Sequence, residues 1–352
     1  MSIRAKDYSA LKPYLEAVGQ LILEETLKRL PDEDSASYLE ALVREYPLRG
    51  GKKFWPALML LCCELMGGRP EDAVISAVAL ELFHNFALIH DDIEDASEMR
   101  RGLKTLHRIY GVPLAINAGD ALCGLAHVTL LENGLRLGLK KSMEIHEYFN
   151  LVMQKTFEGQ AMDIGWVHEG IFPDRNQYWE MAGKKTGWYS GRGPCCCGGM
   201  IAEADTEMLN TLGRFGSALG LGFQVRDDVL NLSEISDSEN SSTKEGGYGK
   251  ERGGDFAEGK RTLVTIEMLE RLNNEDSSTL REVLLKDREE VSKEEIKWCL
   301  KNAHQTGAVE AVRCEAELQY FQALEELDSL PNGSTLEKLK NLADVLAARR
   351  KV

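Results

Sequence analysis

A helical repeat of apolar residues along most of the chain limits this sequence to few folds. Apolar side chains recur at intervals of three and four, the spacing of one face of an α-helix, in segments 8–27, 74–89, 118–135, 208–232, 263–272 and 308–327. Alternating β-branched residues are hard to find, and proline and glycine separate the segments. Because 352 residues can bury an ample core in one helical unit, we predict an all-α fold with a single domain spanning residues 1–352.

The charge balance argues against several kinds of partner. The chain carries 42 Lys and Arg against 57 Asp and Glu, a net charge of -15, so neither nucleic acid nor an anionic membrane is expected as a general partner. No early apolar run is typical of a signal peptide, and the longest run, Phe54 to Cys63, is too short to span a bilayer. We therefore expect a soluble, cytoplasmic protein without stable membrane insertion.

Eight cysteines are present, but their grouping does not favour a metal site. Cys62-Cys63 and Cys195-Cys196-Cys197 are contiguous runs, without the paired Cys-x-x-Cys or histidine spacing of zinc sites. We expect these side chains to be small buried apolar groups.

Aspartates cluster at the end of one apolar segment. Asp91 and Asp95 lie one helical turn apart, with Asp92 beside them, because residues four apart share a helix face. At about 6 Å and an effective dielectric near ~20, each like-charged pair costs about 3 kcal/mol, so the cluster favours a cation. Carboxylates in this array suit Mg²⁺, which shares its coordination sphere with substrate phosphates. A solvated acidic helix end is the alternative for this cluster alone.

A second cluster strengthens the metal hypothesis. Asp227 and Asp228 end another apolar helical segment. Two such helices can face each other across one cavity, which is how helical proteins build metal sites in their interior. We therefore assign all five aspartates a catalytic role. The predicted Mg²⁺ ligands are Asp91, Asp92, Asp95 and Asp227.

The two clusters resemble the aspartate-rich motifs of the trans-isoprenyl diphosphate synthases. The first motif reads Asp91-Asp92-Ile93-Glu94-Asp95, followed by Arg100-Arg101-Gly102, and the second reads Gln224-Val225-Arg226-Asp227-Asp228. The likeness runs from near Arg49 to Thr262. It implies an isoprenoid-synthase-type helical bundle around a central cavity, acting as a homodimer. The implied reaction joins an allylic diphosphate, geranyl or farnesyl diphosphate, to isopentenyl diphosphate with the help of Mg²⁺.

The resemblance also implies which residues hold the two diphosphates. Those implied for isopentenyl diphosphate are Gly51, Lys52, His84 and Arg101. Those implied for the allylic diphosphate are Arg100, Lys185 and Thr186. The remaining residues assigned to substrate are Gln224, Lys250 and Lys260. The last two match family lysines that close over the phosphates. Gln160 and Asp163 are expected to support these groups.

Two positions depart from the family pattern. Trp55 stands where the family has an arginine that binds isopentenyl diphosphate, and tryptophan cannot donate a charged pair of hydrogen bonds. Lys53 and Arg49 are possible substitutes. Asn231 stands where the second motif commonly has its third aspartate, so we expect this end of the site to bind its metal mainly through Asp227.

Product length is predicted from two residues before the first motif. By resemblance, the side chains at Phe86 and Ala87 set how far the growing tail can extend from the metals. A small Ala87 lets the tail pass and a bulky Phe86 blocks it deeper, a combination similar to that of geranylgeranyl diphosphate synthases. We therefore expect a C20 product, although core packing alone would also explain both residues.

Three alternatives stay open. A class I terpene cyclase would share the fold, the metals and the ionisation step, and Trp55 would suit an enzyme without isopentenyl diphosphate. Its usual Asn-Asp second motif is absent, however. A non-catalytic partner subunit should have lost aspartates, and five remain. The third alternative is a product shorter or longer than C20.

Overall fold

The computed structural model describes residues 11–31, 38–232 and 252–348. The described part is almost entirely helical, which confirms the predicted all-α fold. Lys250, which was assigned to substrate binding, lies outside the described residues.

The helices follow one another with short connections. The first eight α-helices are α1 (Leu11–Leu27), α2 (Glu40–Leu48), α3 (Phe54–Leu65), α4 (Pro70–Glu94), α5 (Leu106–Tyr110), α6 (Val112–Leu131), α7 (Asn133–Leu137) and α8 (Leu139–His168). They are followed by α9 (Arg175–Ala182), a π-helix (Gly183–Arg192), α10 (Gly193–Ile201), α11 (Thr206–Leu230) and α12 (Gly254–Ala257). The last are α13 (Leu263–Arg271), α14 (Asn274–Leu284), a 3₁₀ helix (Arg288–Glu290), α15 (Lys293–Gln305), α16 (Ala308–Leu327) and α17 (Ser334–Ala348).

A two-residue hairpin follows α4. Strand β1 (Met99–Arg100) pairs antiparallel with β2 (Leu103–Lys104). The turn residues Arg101 and Gly102 have φ angles of 54° and 75°, as a tight hairpin with two left-handed central residues requires. The Arg-Arg-Gly segment therefore forms the tip of this hairpin.

Helix α4 is the centre of the bundle, with α3 and α6 packed against it. Its start is stabilised by Pro70 in the first turn and by the carboxylates of Glu71 and Asp72, which oppose the positive end of the helix dipole. Within the described residues, α4 and the continuous segment Val112–Leu137 are long and apolar enough to cross a membrane by length and composition. The most apolar window of α4 is 67% buried inside the protein, as a core helix requires.

Glycines let the π-helix and α11 approach at backbone contact. A Cβ atom added to Gly191 would lie 1.8 Å from the carbonyl oxygen of Gly216, and one added to Gly220 would lie 2.8 Å from the Cα atom of Gly187. No side chain larger than hydrogen fits at these crossings. The close approach places the π-helix, which carries Lys185 and Thr186, beside the helix of the second aspartate cluster.

Helix α11 also connects two hydrophobic cores. Its first half contributes Leu212, Phe215 and Leu219 to the core around α3 and α4, and its second half contributes Val225 and Val229 to the core around α13 and α16. The cysteines of the two contiguous runs are buried, as predicted from their apolar surroundings.

Candidate active site

A cavity of about 760 Å³ lies between α3, α4, α8, the π-helix and α11. Carboxylates from both sequence clusters line it, since α4 contributes Asp91, the residue directly after α4 is Asp95, and α11 contributes Asp227 and Asp228. A further carboxylate, Asp163, comes from α8. Two acidic clusters far apart in the sequence therefore meet at one site.

Both clusters lie at the carboxyl ends of their helices. Helix α4 ends at Glu94 and α11 ends at Leu230. The carboxyl end of a helix carries partial negative charge and unpaired carbonyl groups, so the aspartates add to a potential that is already negative. This arrangement favours cations at the mouth of the cavity.

Three cationic side chains lie beside the first cluster. A guanidinium nitrogen of Arg100 is 3.2 Å from a carboxylate oxygen of Asp91, and the Nζ atom of Lys185 is 3.6 Å from the other. The Nζ atom of Lys260 is 2.5 Å from Asp95. These three residues were predicted to bind diphosphate, and they supply fixed positive charge at the mouth of the cavity.

Asp163 links the two lysines. Its carboxylate is 2.7 Å from the Nζ atom of Lys185 and 3.1 Å from that of Lys260. Burial by itself raises the pKa of Asp163, but the two ammonium groups outweigh burial and hold that pKa below its ordinary value. Asp163 is thus ionised and orients both lysines.

Gln160 is the other residue that was expected to support the substrate-binding groups. Its side-chain amide donates a hydrogen bond to the carboxylate of Glu94 at the end of α4.

Asp92 is directed away from the cavity, which corrects its assignment as a metal ligand. Its side chain is fully buried, accepts a hydrogen bond of 2.5 Å from the Tyr46 hydroxyl, and is held by the Arg100 guanidinium at 2.5 and 2.9 Å. Burial raises the pKa of Asp92, against the opposing charge of Arg100. The sequence grouped it with Asp91, but consecutive residues are about 100° apart around a helix. Asp92 positions Arg100.

Asp228 lines the cavity and is also held from several sides. It accepts hydrogen bonds from the Tyr178 hydroxyl at 2.6 Å, the Leu263 backbone N–H at 3.0 Å and the Gln224 amide at 3.1 Å. Burial raises the pKa of Asp228 to about 6. The Thr186 hydroxyl in turn donates to the Gln224 amide oxygen at 2.5 Å. Two predicted substrate residues are therefore linked to the second aspartate cluster.

Arg101 lines the cavity beside the segment that precedes α3. Its left-handed backbone at the hairpin tip turns the guanidinium toward the segment before α3, where it donates to the carbonyl oxygens of Tyr46, at 3.2 Å, and of Gly50. Gly51 and Lys52, from the same segment, line the cavity beside it. The residues implied for isopentenyl diphosphate are thus brought together.

His84 lines the same side of the cavity and is neutral near pH 7. Burial lowers its pKa from 6.5 to about 4, against the raising effect of the Glu81 carboxylate. Its ring lies over the ring of Tyr189, with centroids 6.0 Å apart and planes inclined by 23°. A neutral imidazole can still donate one hydrogen bond to a phosphate oxygen.

Trp55 lines this part of the cavity. Neither Lys53 nor Arg49 replaces the arginine that the family has at this position. The indole is buried and packs edge-on against Phe223, with centroids 4.9 Å apart. Lys53 reaches the cavity, but its Nζ atom is paired with the Glu81 carboxylate at 2.7 Å. The buried side chain of Arg49 does not belong to the cavity lining. Of the residues implied for isopentenyl diphosphate, Lys52, His84 and Arg101 supply polar side chains to the cavity lining.

The predicted chain-length residues lie deeper along α4. Phe86 and Ala87 both line the cavity, and Phe86 is 8% exposed. The Phe86 ring packs against the ring of His90, with centroids 4.6 Å apart. An apolar tail entering from the carboxylates would therefore meet Phe86.

Sequence reasoning did not single out several residues of the cavity. Asp255 lines it, and its backbone N–H donates to the side-chain oxygen of Asn231 at 3.3 Å. Asn231, which stands where the family commonly has a third aspartate, is fully buried and holds the segment that carries Asp255. The Gly-Gly pair before Asp255 was the available signal for a close backbone approach.

Other missed residues come from distant parts of the chain. Tyr189 lies four residues after Lys185 and thus on the same helix face, a spacing that could have identified it. Phe157 on α8 and Val345 and Leu346 on α17 also line the cavity. The α17 residues carry no chemical motif, so only the folded structure identifies them.

The donor set fits a hard divalent cation. Asp91, Asp95 and Asp227 supply carboxylate oxygens around one cavity. Among the described residues no three acidic, histidine or cysteine side chains form a closed metal cage. This pattern matches Mg²⁺, which commonly binds one or two carboxylates together with substrate phosphates.

Two helices of this all-α bundle end in aspartates, and these aspartates lie with several lysines around one cavity whose deeper part is apolar. This combination is typical of trans-prenyltransferases. The polyprenyl synthetase family model matches residues 36–303. The chain therefore belongs to the polyprenyl synthetase family.

Relatives and solved structures agree with this assignment. The chain is 35% identical over 303 residues to a short chain isoprenyl diphosphate synthase of Methanothermobacter thermautotrophicus, covering 85% of this chain and 87% of that protein. It superposes on the geranylgeranyl pyrophosphate synthetase of Pyrococcus horikoshii with a TM-score of 0.86 and 30% identity, covering 98% and 100% of the two chains.

A third comparison concerns the metal. The geranylgeranyl pyrophosphate synthase of Corynebacterium glutamicum, solved in complex with isoprenyl diphosphate and magnesium, matches with a TM-score of 0.83 and 25% identity over 97% of this chain and 99% of that one. Together the family and this structure support dependence on a divalent metal. They do not favour a terpene cyclase or a non-catalytic subunit.

Proposed function

We propose that this protein condenses an allylic diphosphate, geranyl or farnesyl diphosphate, with isopentenyl diphosphate and releases the C20 product geranylgeranyl diphosphate. The observation that carries the proposal is the shared cavity, in which Asp91 and Asp95 at the end of α4 lie with Asp227 on α11 above a pocket that reaches Phe86. One end of this cavity suits a diphosphate and the other suits an apolar tail.

Mg²⁺ is the proposed metal, held by Asp91, Asp95 and Asp227. When bound there, it would neutralise the allylic diphosphate and make it a better leaving group. Arg100, Lys185 and Lys260 lie beside these carboxylates and would stabilise the negative charge that develops on the leaving diphosphate. Asp92 and Asp163 act by orienting these cations.

The second diphosphate is proposed to bind opposite the first. Gly51, Lys52, His84 and Arg101 would hold isopentenyl diphosphate with its double bond directed at the allylic carbon. With Trp55 in place of a further arginine, this site has one fixed charge less, so we expect weak binding of isopentenyl diphosphate. Lys250 is proposed to close over the phosphates, as the resemblance implies.

The apolar part of the cavity is proposed to hold the tail and exclude water. Ala87 leaves room beside Phe86, and Tyr189, Val345 and Leu346 contribute further lining. Water exclusion matters because an allylic cation would otherwise be hydrolysed. The presence of Phe86 and Ala87 in this lining is the basis for proposing a C20 product.

The protein is proposed to act as one domain and as a cytoplasmic homodimer. A single domain is supported by α11, which packs in both hydrophobic cores. A homodimer is supported by exposed apolar side chains on α6, α7 and α8. They include Val128, Leu131, Leu135, Leu139 and Met143. A large exposed apolar surface of this kind is typical of a subunit interface.

Three incubations of the purified protein test the proposed reaction. With Mg²⁺, farnesyl diphosphate and labelled isopentenyl diphosphate, we expect a labelled C20 diphosphate. Farnesyl diphosphate alone should give no hydrocarbon or alcohol. A hydrocarbon or alcohol from farnesyl diphosphate alone would support a cyclase instead, and no product from either incubation would support a non-catalytic subunit. A third incubation without divalent metal should abolish chain extension.

A further inference from the structure

We propose that Phe157, on α8, limits product length together with Phe86, as a second barrier on the opposite wall of the tail pocket. This inference rests on the proposed function. Both phenylalanines line the cavity. Their rings meet edge to face, with centroids 5.9 Å apart and planes inclined by 89°.

A third ring supports the pair from behind. Phe83 is fully buried and lies 5.5 Å from the ring of Phe86 and 6.0 Å from that of Phe157. Aromatic pairs of this geometry stabilise each other beyond their buried area. The three rings form a continuous aromatic floor from α4 to α8, and Phe86 is only one part of it.

Both barrier residues lie at a similar depth below the charged mouth. Phe86 precedes Asp91 by five residues, or about 8 Å along α4. Phe157 precedes Asp163, which orients the two lysines, by six residues, or about 9 Å along α8. A tail that extends from the mouth therefore reaches the two rings at the same point.

On α8, the side chain of Phe157 separates the tail pocket from the protein surface. This side chain faces the cavity on one side, yet the residue is 44% exposed on the other. Leu139, Met143 and Ile164 are also exposed. They lie on the same face of α8 as Phe157, because their positions around the helix axis differ from that of Phe157 by about 40° or less. Truncating Phe157 should extend the pocket toward this apolar face, which the second subunit of the proposed homodimer would cover, whereas truncating Phe86 exposes the pocket to Phe83 and Phe157.

Product analysis of Phe157→Ala tests the inference. The purified variant is incubated with Mg²⁺, farnesyl diphosphate and isopentenyl diphosphate, and products are separated by chain length. We expect the ratio of products longer than C20 to C20 to rise about tenfold or more, since each added methylene in an apolar pocket discriminates by about that factor. With geranyl diphosphate as the allylic substrate instead, Phe157→Trp should shift the product from C20 toward C15, which keeps the test open if Phe157→Ala does not fold.

A double variant separates a barrier from a mere support of Phe86. If Phe157 is a barrier itself, Phe86→Ala with Phe157→Ala should give longer products than Phe86→Ala alone. Equal product lengths in those two variants, or an unchanged ratio in Phe157→Ala, would overturn the inference. Phe321→Ala, at an exposed phenylalanine on α16 outside the cavity, is the matched control. Wild-type protein that fails to extend farnesyl diphosphate would count against the proposed function instead.

Discussion

Lys184 and Lys185 are sequence neighbours with opposite surroundings. Lys185 is directed into the cavity, beside Asp91 and Asp163. Lys184 points outward and pairs with Glu180 at 2.7 Å on the protein surface. The π-helix thus places one lysine in the site and leaves the other outside. This pair gives a test of the charge requirement with its own control.

Replacing Lys185 by methionine should lower kcat about 100-fold or more, because a fixed charge at the developing negative charge is lost. Steady-state kinetics with farnesyl and isopentenyl diphosphates measures this effect. Lys184→Met should change kcat less than about twofold, since exposed ion pairs contribute little. Equal effects of the two substitutions would show that the site does not depend on the orientation of Lys185.

His84 predicts a pH dependence of stability. Its pKa falls from 6.5 to about 4 on folding, chiefly because it is buried. The unfolded chain therefore binds a proton at pH values where the folded chain does not, so acid favours unfolding. The stabilisation is full above pH 6.5 and decreases by about 3 kcal/mol as the pH falls to 4.

Urea unfolding at several pH values checks this prediction. His84→Gln, whose amide does not titrate, should lose about 3 kcal/mol less than wild type between pH 6.5 and 4. Other titrating groups contribute to both proteins alike, so the difference between the two curves is the relevant quantity. Parallel curves would mean that His84 is protonated in the folded protein.

At this scale the sequence could indicate the type of residue in the site but not its direction. Asp92 and Asp91 are equivalent in the motif, yet only Asp91 faces the cavity, and Asp92 is taken by Tyr46 and Arg100. The sequence alone allows Lys53 to replace the missing arginine at the isopentenyl diphosphate site, but in the structure Lys53 is paired with Glu81. Side-chain direction depends on partners from distant segments, which a sequence pattern does not specify.

At the scale of elements, the crossing of α11 and the π-helix determines where Lys185 and Thr186 lie. Gly216→Ala should lower the free energy of unfolding by about 3 kcal/mol, because the added Cβ would lie 2.5 Å from the carbonyl oxygen of Gly191. Urea unfolding measures the change.

A matched glycine on α8 serves as the control. Gly165 has no atom within 4 Å of an added Cβ, so Gly165→Ala should raise stability by up to about 1 kcal/mol, as expected from helix propensity. If Gly216→Ala were neutral, the backbone contact would not be essential to the crossing.

Apolar periodicity predicted most helices but not their relations. The segments around α1, α4, α11, α13 and α16 were correctly assigned as helices. The segment 118–135 was predicted as one helix but is divided between α6 and α7, at the buried Asn133, whose side chain donates to Ser76 at 3.0 Å. The π-helix was not anticipated, because residues 183–192 lie outside the segments with a helical apolar repeat.

At the scale of the whole molecule, the apolar face of α6, α7 and α8 predicts a dimer. Leu131→Glu combined with Met143→Glu should convert the dimer to monomer, because both residues are more than 60% exposed in one chain and charges are depleted from interface cores. Sedimentation velocity measures the mass of the species.

The control is Phe321→Glu, at another exposed apolar residue on α16, which should leave the mass unchanged. A wild-type protein that sediments as a monomer would remove the dimer from the account. Within one chain, a hydrogen bond of 3.1 Å between His127 on α6 and His146 on α8 holds these two helices together.

The central claim is that acidic residues from α4 and α11 together bind divalent ions and one diphosphate. Calorimetric titration of the protein with inorganic pyrophosphate, with and without Mg²⁺, tests it most directly. We predict tight binding only with Mg²⁺, weakened about 100-fold or more by Asp91→Asn and equally by Asp227→Asn, but not by Asp72→Asn at the distant start of α4. Binding that needs no metal, or that depends on only one of the two helices, would contradict the account.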